Sequence, residues 1–176
     1  MLLYTSIMSD SEVKDGSPAE EEIKDEVTLV LAAIDTSSSA SRVIDMASRI
    51  ARRTWQNTQL HILHVFRSGR FDRPSRAGLH RDELVADARS YLEHHVRMAR
   101  KQCPSPVTGH FAEGDPADEI VRCARSLSAD LLLVGTSDPA GLERFLLGSV
   151  ATEIGKTAPC SVVIVREKQR PYRKVT

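Results

Sequence analysis

Two places in the sequence join chemistry-bearing residues to a geometry that could use them. The first is Asp35, the first charge after the nearly continuous apolar run of residues 27–34 (VTLVLAAI), with the hydroxyls Thr36, Ser37, Ser38 and Ser39 directly behind it. A carboxylate at the tip of a strand can accept hydrogen bonds from sugar hydroxyls. The same carboxylate can instead cap the helix that follows, and the residue types leave both readings open. The second place is Gly135 together with Gly148-Ser149, which bracket a loop leading into a helix. The unpaired N–H groups and positive dipole end of a helix start favour phosphate oxygens. Glycines let backbone approach such oxygens closely, and a serine hydroxyl adds a donor.

Other candidates do less. His61 and His64 are three apart in a strand, so they point to opposite faces and cannot chelate together. His94 and His95 are neighbours on a helix and diverge, which reads as packing and solvent. Gly155-Lys156-Thr157 has the look of a P-loop end, but six residues separate it from Gly148 where a P-loop has four, and the segment reads as helix. The hydroxyl run after the first strand has the look of a flavin phosphate loop, yet Trp55 is the only tryptophan. A phosphoacceptor receiver would want a pair of carboxylates where Asp35 stands alone. The sequence announces no serine–histidine–acid or cysteine–histidine set, so the expectation is binding without turnover.

The elements that would position these residues follow from periodicity. Residues 27–34 read as a strand. Ala40, Val43, Ile44, Ala47, Ile50 and Ala51 recur at helical spacing over 40–54. Residues 60–66 (LHILHVF) read as a second strand, and 82–101 as a long amphipathic helix with Leu84, Ala88, Tyr91, Leu92, His95 and Ala99 on one face. Residues 107–112 (VTGHFA) alternate as a third strand. Asp115-Pro116 is an N-cap with proline at the first helical position, ahead of Ala117, Ile120, Val121, Ala124 and Leu127. Residues 131–134 (LLLV) end at Gly135, a helix runs from Gly148-Ser149 to Thr157, and 161–165 (SVVIV) is the last strand. Strict alternation predicts an α/β fold with parallel strands, right-handed crossovers and helices on both faces of an open sheet. Strands one, two and four are apolar on both faces and should be interior, whereas strand three should be an edge. The last strand is also an edge candidate, yet apolar throughout. Such an edge invites association, so a homodimer through Val162, Val163, Ile164 and Val165 is expected.

The chain has 176 residues, 41% hydrophobic and 27% charged, a single-domain length with material for one core. Its 24 basic and 24 acidic side chains balance, which removes any bulk electrostatic case for nucleic acid or a membrane surface. Cys103, Cys123 and Cys160 form no CxxC, and MLLYTSIMSD lacks the basic start and apolar run of a signal peptide. The expectation is a soluble cytoplasmic protein. Residues 1–26 carry eight acids against two lysines, a net charge of −6, and read as a disordered acidic leader. The arginine-rich segment 67–81 reads as a solvated loop, and the basic residues 167–176 as a disordered tail around the 27–166 domain.

The sequence is also recognisable. GTSDPAGLERFLLGSV (135–150), APCSVVIV (158–165), IDTSSSA (34–40), LHVF (63–66) and EGDPADEI (113–120) together resemble the universal stress protein family. The resemblance implies a Rossmann-like sheet of order 3-2-1-4-5 and a dimer through strand five. It also implies ATP or another adenine nucleotide, held through glycine, two residues, glycine, nine residues, then glycine with serine or threonine. On that pattern Gly135 is the first glycine and Gly148-Ser149 the last pair. The resemblance further implies Asp35 at the ribose, Val65 backbone groups at the adenine, Val150 beside the phosphate loop, and Thr36 and Thr136 as further binding positions. The middle glycine is replaced by Asp138. A carboxylate about 5 Å from a phosphate charge costs roughly 3 kcal/mol at an effective dielectric near 20. Asp138 must then face solvent or hold Mg²⁺ beside the phosphates. Two readings stand: a nucleotide-binding stress-response dimer that changes protein partners, or a dimeric interaction module whose crevice Asp138 keeps free of phosphate.

Overall fold

The computed structural model describes residues 28–54, 58–67, 81–136 and 148–166. The acidic leader, Trp55, most of the arginine-rich loop, Asp138 and the basic tail lie outside the described residues. The described elements alternate from end to end: β1 (Leu29–Ile34), α1 (Ser39–Thr54), β2 (Gln59–Phe66), α2 (Arg81–Gln102), β3 (Val107–Glu113), α3 (Pro116–Ser126), β4 (Leu131–Gly135), α4 (Ser149–Thr157) and β5 (Ser161–Val165). They build one parallel sheet in the order β3-β2-β1-β4-β5. The winding reverses between β1 and β4, and this is where an open parallel sheet forms a crevice.

Strand texture explains the order. β1 is buried along almost its whole length and β4 through its middle, so both must sit between neighbours with a helical layer on each face. β3 is mostly exposed or half-exposed and forms one edge. β5 forms the other edge; Val162, Val163 and Ile164 are half-buried.

Alternation along the strands sorts the core into two halves. Val30, Ala32, Ile34, Leu60, Ile62 and Leu133 pack beneath α1 and α2. Leu31, Ala33, Leu63, Leu132 and Val134 pack beneath α3 and α4. Each fully buried leucine contributes about 1.5–3 kcal/mol relative to exposure. Alanines at 40, 47 and 51 let α1 approach the sheet closely, and each is at most 1% exposed.

Two details depart from periodicity. On α2 the buried stripe is Ala88, Leu92, Val96 and Ala99, whereas Leu84, Tyr91 and His95 are only half-buried. The helix packs over β2 and β3, with Tyr91 at the margin of that contact. His61, buried in β2, stacks on His110 of β3 with ring centroids 4.9 Å apart, and His61 Nδ1 lies 2.7 Å from His110 Nε2. The separation of His61 from His64 in sequence held no sign of this pair, because it depends on which strand lies beside β2. Burial, and for His61 also the neighbouring imidazole, hold both rings below the ordinary histidine pKa.

Elsewhere local chemistry acts as read. The Asp115 carboxylate accepts from the Ala117 N–H at 2.9 Å and caps α3, with Pro116 at its first turn. Asp130 Oδ2 accepts from the N–H groups of Thr28 and Leu29, each at 2.8 Å, and from the Thr28 hydroxyl at 3.1 Å. This clasp ties the start of β1 to the start of β4.

Candidate functional site

The site grows from the last residue of β1. In the parallel ladder Ala33 is level with Val134, so Asp35 leaves the sheet beside Thr136 of the adjacent strand. On the other side β2 runs two residues past the β1 pairing, which ends at Ile34 opposite His64; Val65 and Phe66 therefore form a step above the β1 tip. β4 continues into Thr136, whose N–H donates to the Val165 carbonyl at 3.1 Å. The C-terminal ends of β2, β1 and β4 thus frame one edge of the sheet. α1 and α4, as return helices of a parallel sheet, start from that edge.

Asp35 is exposed, and its two oxygens differ. Oδ1 accepts from the Ser37 N–H at 3.1 Å, the Ser37 hydroxyl at 2.5 Å and the Ser39 hydroxyl at 3.4 Å. That oxygen builds the turn into α1. Oδ2 has no hydrogen-bond partner among the described residues and is available to a ligand. The capping and ligand readings therefore divide between the two atoms of one carboxylate.

Three residues that sequence reasoning had assigned elsewhere hold this tip in place. The Tyr91 hydroxyl donates to the Asp35 carbonyl at 2.8 Å. His64 Nδ1–H donates to the Ile34 carbonyl at 3.0 Å. Two successive carbonyls that leave the sheet are thus satisfied by side chains from α2 and β2 rather than by water. Burial and the nearby Asp35 charge push the Tyr91 phenol pKa upward, which keeps it a donor. The Tyr91 ring also meets those of His95 and His64 in tilted pairs, with centroids 4.2 Å and 5.4 Å apart. Ser39, the third, is 2% exposed and carries its hydroxyl toward both Asp35 and β4.

Ser39 changes the meaning of Gly135. A Cβ on Gly135 would lie 2.3 Å from Ser39 Oγ, 2.8 Å from Ser39 Cβ and 3.2 Å from Val43 Cγ2. The space a side chain at Gly135 would need is occupied by α1, so packing alone requires a glycine here, whatever its part toward a ligand. Gly148 is the opposite case. It caps α4 at φ −56° and ψ 152°, a conformation open to other residues, and a Cβ there would meet nothing within 4 Å. As a glycine, it makes no side-chain cap to α4. The N-terminus of α4, where backbone N–H groups and the positive dipole end of a helix suit an anion, thus starts at a residue without a side chain.

The remaining sequence-derived positions lie as follows. Thr36 is exposed beside Asp35, and Ser149 is exposed at the first turn of α4. Val150 and Val65 pack half-buried side chains against the core beneath α3 and α4. Asp138 and the loop around it lie outside the described residues. Among the described residues no group of three histidine, cysteine or acidic side chains converges to hold a metal ion, and no helix is long and apolar enough to cross a membrane.

Comparison with known proteins agrees with this architecture. The universal stress protein family matches residues 27–166. The universal stress protein YxiE of Bacillus subtilis is 31% identical over 147 residues, covering 78% of this chain and 97% of that protein. The structure of universal stress protein UspA from Lactobacillus plantarum superposes with a TM-score of 0.66 at 22% identity, covering 80% of this chain and 99% of that one. A universal stress protein crystallised in complex with cAMP superposes with a TM-score of 0.61 at 25% identity, covering 80% of this chain and 98% of that one. With the predicted strand order, the two-layer core and a family match spanning most of its length, this chain belongs to the universal stress protein family.

Proposed function

We propose that this protein binds an adenine nucleotide at the C-terminal edge of its sheet and works as a homodimeric, non-catalytic regulator in the cytoplasmic stress response. The observation that carries the reading is the pairing of a free carboxylate oxygen with an unused helix start. Among the described residues Asp35 Oδ2 has no hydrogen-bond partner, Oδ1 taking the turn bonds, and α4 begins at Gly148, which has no side chain to cap it. A carboxylate suits ribose hydroxyls, and backbone N–H groups at a helix start suit phosphate oxygens. Val65 backbone groups at the β2 step suit an adenine edge. Thr36, Thr136, Ser149 and Val150 complete the set around Gly135 and Gly148. The cAMP held by a protein of the same fold supports the ligand class.

The test is direct. Acid extraction of the purified chain should release a nucleotide, and calorimetric titration with ATP, AMP and cAMP should give saturable heat for at least one of them. Asp35→Asn, which keeps the turn-forming oxygen and removes the charge, should weaken it. No co-purified nucleotide and no heat from any of the three would favour the second reading, an interaction module in which Asp138 excludes phosphate. Asp138→Gly should then create or strengthen binding, with or without Mg²⁺.

The dimer is part of the same proposal. β5 is a sheet edge with half-buried Val162, Val163 and Ile164 and no partner strand on its outer side. A second copy of β5 would cover it. Val163→Asp should yield a monomer by sedimentation velocity; an unchanged sedimentation coefficient would remove β5 from the interface.

A further inference from the structure

The two edges of the sheet carry their charges differently. Every strand is parallel, so each helix runs back and ends at the edge where the strands begin. The last turns there hold Arg52 and Arg53 of α1, Arg100 and Lys101 of α2, Arg125 of α3 and Lys156 of α4. All six are exposed. The segments that join these helices to the next strands contribute a single carboxylate, Asp130, and it is already bonded to Thr28 and Leu29.

Local chemistry accounts for only part of this. A helix C-terminus carries about half a negative elementary charge, so four of them offset about two of the six cations. Arg100 also donates to the Val107 carbonyl, at 3.0 Å. Among the described residues none of the six forms an ion pair, whereas at the opposite edge Arg67 pairs with Asp115 and Arg81 with Glu113. The sequence holds the missing counter-charge. Residues 1–26 carry a net charge of −6 and join the fold at the start of β1. β1 is the middle strand, so they enter at the centre of the basic edge, with the outer strands about 10 Å to either side. Glu20, Glu21, Glu22, Asp25 and Glu26 lie within eight residues of Thr28, a reach of at most about 28 Å. The other basic segments, 67–80 and 167–176, leave from the far edge, after β2 and β5.

We infer that the basic edge formed by the helix C-termini is a docking surface, and that its occupant is the acidic segment 20–26 of the same chain. The covalent link holds five carboxylates beside six cations at a millimolar effective concentration, so contacts too weak to hold a free peptide still form. The attraction is spread over many charges and weakens with salt. Docked there, the segment closes the basic edge to other acidic chains. It leaves the opposite edge, with Asp35 and Gly148, uncovered, so the inference is independent of the nucleotide reading.

The experiment is zero-length carbodiimide coupling of the full-length chain, which joins a lysine amine to a carboxylate only where the two touch. At low salt Lys101 and Lys156 should couple to the acids of segment 20–26. Peptide mass spectrometry on mixed ¹⁴N and ¹⁵N chains should show both halves of each link coming from one chain. Raising NaCl to about 1 M, where the screening length is about 3 Å, should cut the yield about fivefold or more. Arg52→Gln with Arg53→Gln keeps every coupling partner and should lower it about twofold or more at low salt. In amide NMR spectra, Glu20→Gln with Glu21→Gln and Glu22→Gln should shift residues 52–53, 100–101, 125 and 156, with 35–37 and 148–150 unmoved. Coupling of the segment only to Lys168 or Lys174, links between two chains, a yield indifferent to salt, or unshifted amides at the basic edge would overturn the assignment.

Discussion

Replacing Gly135 by alanine separates two reasons for a glycine at the end of β4. The added methyl would fall 2.3 Å from Ser39 Oγ and 2.8 Å from Ser39 Cβ, with Val43 Cγ2 at 3.2 Å. Ser39 and Val43 belong to the first turns of α1 and are 2% and 0% exposed, so neither can swing into solvent. Relief requires α1 to move off the sheet or Ser39 to leave its rotamer and give up its bond to Asp35. Inserting a methyl into packing this tight costs about 1–3 kcal/mol. At roughly 3–4 °C per kcal/mol for a domain of this size, the melting temperature should fall by about 3–12 °C. Urea unfolding gives the free energy directly, with an unchanged m-value if the denatured state is unaffected. Ser39→Gly in the Gly135→Ala background removes both offending atoms and should recover part of the loss, giving a coupling energy of at least about 0.5 kcal/mol in a double-mutant cycle. If Gly135→Ala is as stable as the parent and simply loses nucleotide, the glycine serves the ligand and the packing argument fails.

Three further outcomes follow from other contacts. Because His61 and His110 are held below the ordinary histidine pKa, the unfolded chain takes up protons first as pH falls below about 6.5. Stability should therefore drop through that window and level off once the folded pair is protonated. Urea unfolding at several pH values should show a shallower decline for His110→Asn than for the parent, and parallel curves would refute the coupling. Asp130→Ala removes a carboxylate that accepts three hydrogen bonds at the start of β1, and should cost about 2–4 kcal/mol; a melting temperature within a degree of the parent would contradict it. Tyr91→Phe leaves the Asp35 carbonyl unpaired and should cost about 1 kcal/mol while weakening nucleotide binding, both readable from melts with and without ATP.

The order of elements was legible because each signal is local. The apolar run before Asp35, the Asp115-Pro116 start of α3 and the SVVIV strand each depend on neighbours within one turn or one strand. Alternation then limits the topology, and the texture of β3 against β1 and β4 distinguishes edge from centre. Asp35 was legible as a candidate for the same reason: a lone charge at the end of a buried strand stands out in the chain itself.

What the chain alone could not decide were contacts across elements. Tyr91 reads as one apolar position among several on α2, and only the placement of that helix over the β1 tip brings its hydroxyl to the Asp35 carbonyl. Gly135 reads as a glycine that lets backbone approach a phosphate, and only the fold shows that Ser39 of α1 also leaves no room there for a side chain. His61 finds His110 only once β3 lies beside β2. Sequence by itself determined which segments become strands and helices and which residues cap them, because those choices rest on short-range hydrogen bonding and the period of side-chain exposure. Tertiary structure decided which polar atoms meet, Tyr91 with the Asp35 carbonyl and His61 with His110 among them, because that depends on groups tens of residues apart meeting in three dimensions.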